Sequence, residues 1–262
     1  MDDRRIGTRL QTAAALVALC IGLVVVRAPT AGAASFTVNP VQIFLSAKAK
    51  SAVLTLRNVS TEPLRFQLSV FAWDQSPLGE LLLTPTRDVI FFPPLLSLAP
   101  GEQRNVRLGA TVSPAAVEKT YRIFVEELPP AHRSEASASA GEVRVLTRMG
   151  IPIFIQPAKS TVDARLEGLT IQGGRLSFRI RNAGTVHVVA QAVRFTGSGP
   201  GGETVLEGAL EGWYILPGGT RVYDLELPRD TCPRVRRMSV EVQTSNAVLS
   251  GQLSPPAGAC GQ

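Results

Sequence analysis

The sequence predicts an all-β protein built as two β-sandwich domains in tandem. Three observations carry the prediction. No segment after residue 35 sustains a 3.6-residue apolar period. Short runs of alternating apolar and polar residues recur instead, with turn residues about every ten positions. The series of runs pauses at "QPAKS" (156–160) and then starts again.

The first 34 residues do not belong to this pattern. Arg4, Arg5 and Arg9 make a charged start, "AAALVALCIGLVVV" (13–26) is apolar, and "AGAA" (31–34) offers small residues for cleavage. That arrangement predicts a secretory signal peptide over 1–34, cut near Ala33 or Ala34. A membrane anchor is the rival reading, but the apolar run is shorter than the ~20 residues a spanning helix needs, and Arg27 closes it. Ile6, Gly7 and Thr8 give the Arg4-Arg5 pair little support as a twin-arginine signal. No later apolar run reaches spanning length, so export predicts a soluble protein outside the cytoplasm.

Cleavage after Ala33 leaves 229 residues, long enough for two cores. It removes four Arg and two Asp from 27 basic and 21 acidic residues, so the net charge falls to about +4. Mild basicity suits an acidic partner or a carboxylate ligand. With no basic run interleaved with aromatics, it gives no case for nucleic acid. Cys20 leaves with the signal, and Cys232 and Cys260 remain. An even pair in an oxidising compartment predicts a disulfide, worth ~3 kcal/mol, with two free thiols as the alternative. No metal is expected, because His132 and His187 are the only imidazoles.

The first domain is predicted over 35–157 from "SFTVNPVQIFL" (35–45), "SAVLTLRN" (51–58), "RFQLSVFAW" (65–73), "RDVIFFPP" (87–94), "QRNVRLG" (103–109), "TYRIFVEEL" (120–128) and the stretch 141–157. Seven short strands in about 120 residues suggest an immunoglobulin-like sandwich. A second set of about seven, from "VDARLEGLTI" to "AVLSGQL", predicts a second such domain over 158–262. "PPAHRSEASASAGE" (129–142) reads as a loop.

The stretch after that loop is unusual. In "GEVRVLTRMGIPIFIQP" (141–157) every second residue, Val143 through Ile155, is apolar except Thr147. Strands typically run about 5–6 residues. A rail this long needs something beyond its own domain to pack against.

No enzyme signal is present. "GSGPGGET" (197–204) lacks the Gly-Lys-Ser/Thr ending of a phosphate loop and reads as a strand connection. The two histidines have no nucleophile motif nearby, and His187 reads as a packed or surface residue. Glu126 and Glu127 point to opposite strand faces, so they make no acid–base pair, though either could meet Arg122 or an arginine of the second domain. Trp73 and Trp213 are expected in cores or in a cleft wall. "RDTCPRVRR" (229–237) reads as a solvated basic turn, with a docking patch as the alternative.

Taken in order, several pieces resemble the periplasmic chaperones of chaperone–usher pilus assembly. These are "VLTLRN" ending in Asn58, "FFPPLLSLAPGEQRNVRL" (91–108), "TYRIFVEELPP" (120–130), the loop and rail that follow, and "FRIRNAGTVHV" (178–188). The resemblance covers essentially the whole mature chain. It implies two immunoglobulin-like domains in a boomerang with a cleft between them. It also implies that the last strand of the first domain is lent to a pilin lacking its own, with delivery to an outer-membrane usher. Pilins and the usher are then the expected partners, with no cofactor and no small-molecule substrate. On this alignment the donor side chains are Val143, Val145 and Thr147, continued by Met149 and Ile151. The family's basic pair, which grips the pilin's terminal carboxylate, falls on Gln42 and Pro152, neither of which is charged. Arg144 and Arg148, on the same strand face as Pro152, are candidate substitutes. Glu118 aligns with an acidic residue that bridges the domains, but its partner position is the neutral Gln156. The competing reading is a secreted two-domain structural or adhesive protein that never engages pilins.

Overall fold

The structure, a computed structural model, describes residues 35–129 and 145–260. The predicted signal peptide lies outside the described residues. So do Val143 and Arg144. The described chain is all-β, with helix confined to a 3-10 turn at Cys232–Arg234. It forms two immunoglobulin-like sandwiches, each with its own buried cluster.

In the first sandwich one sheet contains β1 (Phe36–Asn39), β3 (Ser51–Asn58), β8 (Gln103–Ala110) and β6 (Val89–Phe92), in the order β1-β3-β8-β6. The facing sheet orders β2 (Ile43–Leu45), β10 (Arg148–Ile155), β9 (Lys119–Leu128), β4 (Leu64–Gln75) and β5 (Leu81–Pro85), with β7 (Leu95–Leu98) also paired to β4. Alternation decides which side chains meet between them. Leu54 and Leu56 from β3, Val106 and Leu108 from β8, Ile123 and Val125 from β9, and Ile151, Ile153 and Ile155 from β10 are all almost fully buried. Each such side chain contributes about 1.5–3 kcal/mol of burial.

The predicted strand 35–45 is two strands. Pro40 has no N–H to give to a ladder, and the chain changes sheet there. β1 pairs antiparallel with β3 in one sheet, and β2 pairs parallel with β10 in the other. Of the predicted stretch 141–157, the described residues form a strand from Arg148 to Ile155.

The second sandwich has one sheet of β11 (Ala164–Gln172), β12 (Arg175–Asn182) and β16 (Thr220–Glu226). The other orders β14 (Thr204–Leu210), β13 (Val188–Ser198), β17 (Arg237–Thr244) and β18 (Val248–Leu253), with β15 (Tyr214–Ile215) also on β13. "GSGPGGET" connects β13 to β14 as a hairpin. Cys232 and Cys260 are joined by a disulfide across 28 residues.

Both sandwiches close one corner in the same way. Asn58 ends β3 fully buried, donating from Nδ2 to the carbonyls of Glu62 (2.7 Å) and Leu98 (3.1 Å). Asn182 ends β12 fully buried, donating to Val186 (2.8 Å) and Ile215 (2.9 Å). Buried amides persist only when their donors are satisfied, so each Asn fixes the path of the turn it caps. In the first sandwich the adjoining turn also needs Gly101, whose φ of +75° suits a residue without Cβ.

Candidate functional site: the open edge of the last strand

Among the described residues, β10 is paired on only part of one side. β9 covers it from Arg148 to Ile155, whereas β2 covers the other edge only at Ile153, Phe154 and Ile155. Backbone groups alternate in direction along a strand. The N–H of Glu127 on β9 reaches Thr147 O at 2.9 Å, and the N–H of Gln156 reaches Leu45 O at 2.8 Å on the β2 side. Even-numbered residues therefore present their peptide groups to the open edge, where Arg148 and Gly150 offer an N–H and a C=O each. Pro152 has no N–H on that side.

The odd-numbered face divides into two parts. Ile151, Ile153 and Ile155 are sealed in the core of their own sandwich, with Ile151 opposite Ile123. Ile151, which the alignment places at the end of the donor face, is 1% exposed within the core of its own domain. Met149 is half-buried against that core, Thr147 is half-buried, and Val145 is 70% exposed. The apolar rail thus runs out of one core into open space.

The even-numbered face lies against aromatic and cationic groups. The Arg148 guanidinium sits 4.1 Å over the Phe124 ring and pairs with Glu126 at 3.4 Å. That candidate substitute anchor is already engaged. Gly150 permits close approach, since a Cβ there would stand 2.9 Å from the Phe124 ring and 3.3 Å from an Arg122 guanidinium nitrogen. Pro152 lies buried directly across the ladder from Arg122. Phe154 packs with Trp73 and Leu216 in a third cluster where the two sandwiches meet. Gln42 donates from Nε2 to the Tyr214 hydroxyl of the second sandwich. Among the described residues neither family anchor position carries a charge.

Arg122 is the residue that strand patterning did not single out as a site. Only 6% exposed, it stacks 4.2 Å over Trp73 and 5.5 Å from the centre of the Trp213 ring. Its Nε finds no acceptor. Burial pulls its pKa below the ordinary arginine value, partly offset by the nearby Tyr214. The signal was a lone charge inside the apolar run "TYRIFV". Only the pairing of β9 with β10 reveals what it faces.

The two sandwiches are joined by a polar contact that the alignment had placed elsewhere. Glu118 is met by His187, and Gln156 is not its partner. The His187 ring stacks on Phe154 at 3.8 Å. Trp73 is buried in this junction, and Trp213 is 40% exposed at its rim. No group of three or more His, Cys, Asp or Glu among the described residues is placed to hold a metal. No helix among them is long and apolar enough to cross a membrane.

Two immunoglobulin-like sandwiches with one edge of the first left open define the class of PapD-like chaperones. The family of pili and flagellar-assembly chaperones, PapD N-terminal domain, matches residues 35–161, which span the first sandwich. One similar solved structure is the CsuC–CsuE chaperone–tip adhesion subunit pre-assembly complex from archaic Csu pili of Acinetobacter baumannii. It shares 19% identity at a TM-score of 0.54, with 85% of this chain and 98% of that one covered. The YadV chaperone shares 16% identity at 0.56, over 84% and 98%. The SafA pilin–SafB chaperone complex of Salmonella enterica shares 18% at 0.55, over 84% and 96%. At these identities the likeness is one of fold. No curated protein matches the sequence.

Proposed function

We propose that this chain binds incomplete pilin subunits in the periplasm, completes their sandwich with β10 and the residues before it, and delivers them to an outer-membrane usher. The division at Pro157 then separates the lending domain from a second sandwich that walls the cleft. The carrying observation is the open edge of β10 beside an exposed Val145. A guest strand on that edge gains ladder hydrogen bonds from Arg148 and Gly150, and apolar contact from Val145, Thr147 and Met149. Each apolar side chain so covered contributes about 1.5–3 kcal/mol before ordering costs. Two of the similar solved structures are chaperone complexes with a tip adhesion subunit and with a pilin, which supports the reading.

The test is Val145→Arg. The chain is co-expressed with a pilin subunit lacking its own final strand and purified. The unaltered chaperone is expected to bring down one subunit per chain. The variant is expected to stay folded and soluble and to lose the subunit. Retained one-to-one capture by a soluble V145R protein would overturn strand lending at this register.

A further inference from the structure

We infer that the β4–β5 hairpin is a strut: it seats on the edge strand of the second sandwich and fixes the angle at which the cleft beside β10 stands open. Its consequence for guests rests on the proposed function, and the strut itself does not.

The hairpin is built to be stiff. Between β4 and β5 the Gly79 N–H donates to the Ser76 carbonyl at 2.8 Å, and the Ser76 N–H donates to the Glu80 carbonyl at 3.0 Å. The Glu80 N–H also reaches the Ser76 hydroxyl at 3.1 Å. Pro77, second in the turn, has its φ fixed by its ring. Gly79 closes the turn at a φ of +87°, which suits a residue without Cβ.

The hairpin is also aimed. β16 is an edge strand of the β11-β12-β16 sheet, and successive N–H groups along it point alternately toward β12 and away. The N–H of Val222 donates to the Pro77 carbonyl at 2.8 Å, so the first sandwich caps an edge of the second. The Arg221 side chain lies against the bare face of Gly79, where a Cβ would overlap a guanidinium nitrogen. The Arg221 Nε is buried without an acceptor, and its guanidinium stands 5.5 Å from the centre of the Tyr223 ring. The side chain is thus packed into the joint and does not extend into solvent.

Position gives this contact its leverage. In the sheet order β2-β10-β9-β4-β5, two other polar ties between the sandwiches stand at Gln42, beside β2, and at Glu118, beside β9. The hairpin stands at the opposite end of the sheet. With it seated, the joint is pinned across the sheet's full width. With it lifted, those two ties span only β2 to β9, and the second sandwich can swing about them. Tyr214, which meets Gln42 beside the open edge of β10, moves with that sandwich. A guest that needs one cleft angle binds only the fraction of molecules that hold it.

The test places spin labels on cysteines introduced at two exposed positions, Val53 of the first sandwich and Val248 of the second. Pulsed electron resonance on the intact protein reads the distance between them. The unaltered joint is expected to give one narrow distribution. Gly79→Ala drives a Cβ into Arg221. Val222→Pro removes the N–H that reaches Pro77, and proline is tolerated on an edge strand. Each is expected to broaden the distribution. Arg221→Ala added to G79A removes the overlap and is expected to narrow it again. A hairpin that merely stabilises its own sandwich would lower the melting temperature and leave the distance narrow. A narrow distribution in either single variant, or a G79A broadening that R221A does not relieve, overturns the strut. Capture of the co-expressed pilin by V222P is expected to fall about tenfold if about a tenth of the molecules keep the competent angle. Broadening with capture unchanged overturns the link to the cleft. If V145R leaves capture intact, the underlying reading falls, and the distances alone decide the strut.

Discussion

The Glu118 carboxylate holds His187 at two points: its Oε2 accepts a hydrogen bond from the His187 backbone N–H at 2.8 Å and lies 2.7 Å from the ring Nδ1. The carboxylate is 1% exposed and the imidazole 13%. One residue precedes β9 in the first sandwich, and the other precedes β13 in the second. This side chain therefore makes one of the ties between the sandwiches, beside the Gln42–Tyr214 hydrogen bond, and the ring it orients stacks on Phe154 of β10.

Glu118→Ala leaves a buried N–H without an acceptor, so it should cost about 1–3 kcal/mol in urea unfolding. His187→Phe keeps that backbone bond and the stack on Phe154, so it should cost less. An equal or reversed order would mean that the ring bond, not the backbone bond, carries the junction.

The two corner asparagines make a paired prediction. Besides its two donated bonds, Asn58 accepts from the Ser60 N–H at 2.8 Å, and Asn182 accepts from the Gly184 N–H at 2.9 Å. Alanine at either position strands buried carbonyls and should cost about 2–4 kcal/mol. Aspartate loses the donors and sets a carboxylate against those carbonyls, so it should cost at least as much. Hydrogen exchange should localise the damage. Asn58→Ala should speed exchange in β3 and β7, and Asn182→Ala in β12 and β15. Damage spread evenly over both sandwiches would show that the corners do not act separately.

The rail supplies a contrast within one strand face. Ile151→Ala opens a cavity in the first core and should cost about 2–5 kcal/mol. Val145→Ala removes exposed surface and should stay within about 0.5 kcal/mol of the unaltered protein. Thermal unfolding of the free chaperone reads both. A large loss at Val145 would mean that the free protein already covers that side chain.

Much of the fold is legible because alternation is a local property. "SAVLTLRN", "QRNVRLG" and "RLSFRIRN" each put their buried residues on one face, and each is a strand. β5 is harder to see because Leu81, Leu82 and Leu83 run together without alternating. β7 is only four residues long and follows a pair of prolines. The site is less legible, since it depends on register. Nothing within a few residues of Arg122 shows that it faces Pro152, some thirty positions away. Nothing near Glu118 points to His187, 69 residues on. Ile151 and Val145 look alike in the sequence, and only the reach of the first core tells them apart.

The disulfide tests how the C-terminal tail is held. Cys232 is 1% exposed, and Ala259, beside Cys260, packs into the second core. The Ala259 carbonyl also accepts from the Gly174 N–H at 2.8 Å, in the turn between β11 and β12. The bond therefore ties the tail to the 3-10 turn while the tail itself staples a hairpin. Closing 28 residues should contribute about 3 kcal/mol. Replacing both cysteines by alanine should lower the melting temperature and speed exchange in β11 to β18, leaving β1 to β10 unchanged. Reductant should bring the unaltered protein down to the level of the double variant and leave that variant where it is. If the double variant melts with the unaltered protein, the link contributes nothing, and the buried Ala259 contact alone holds the tail.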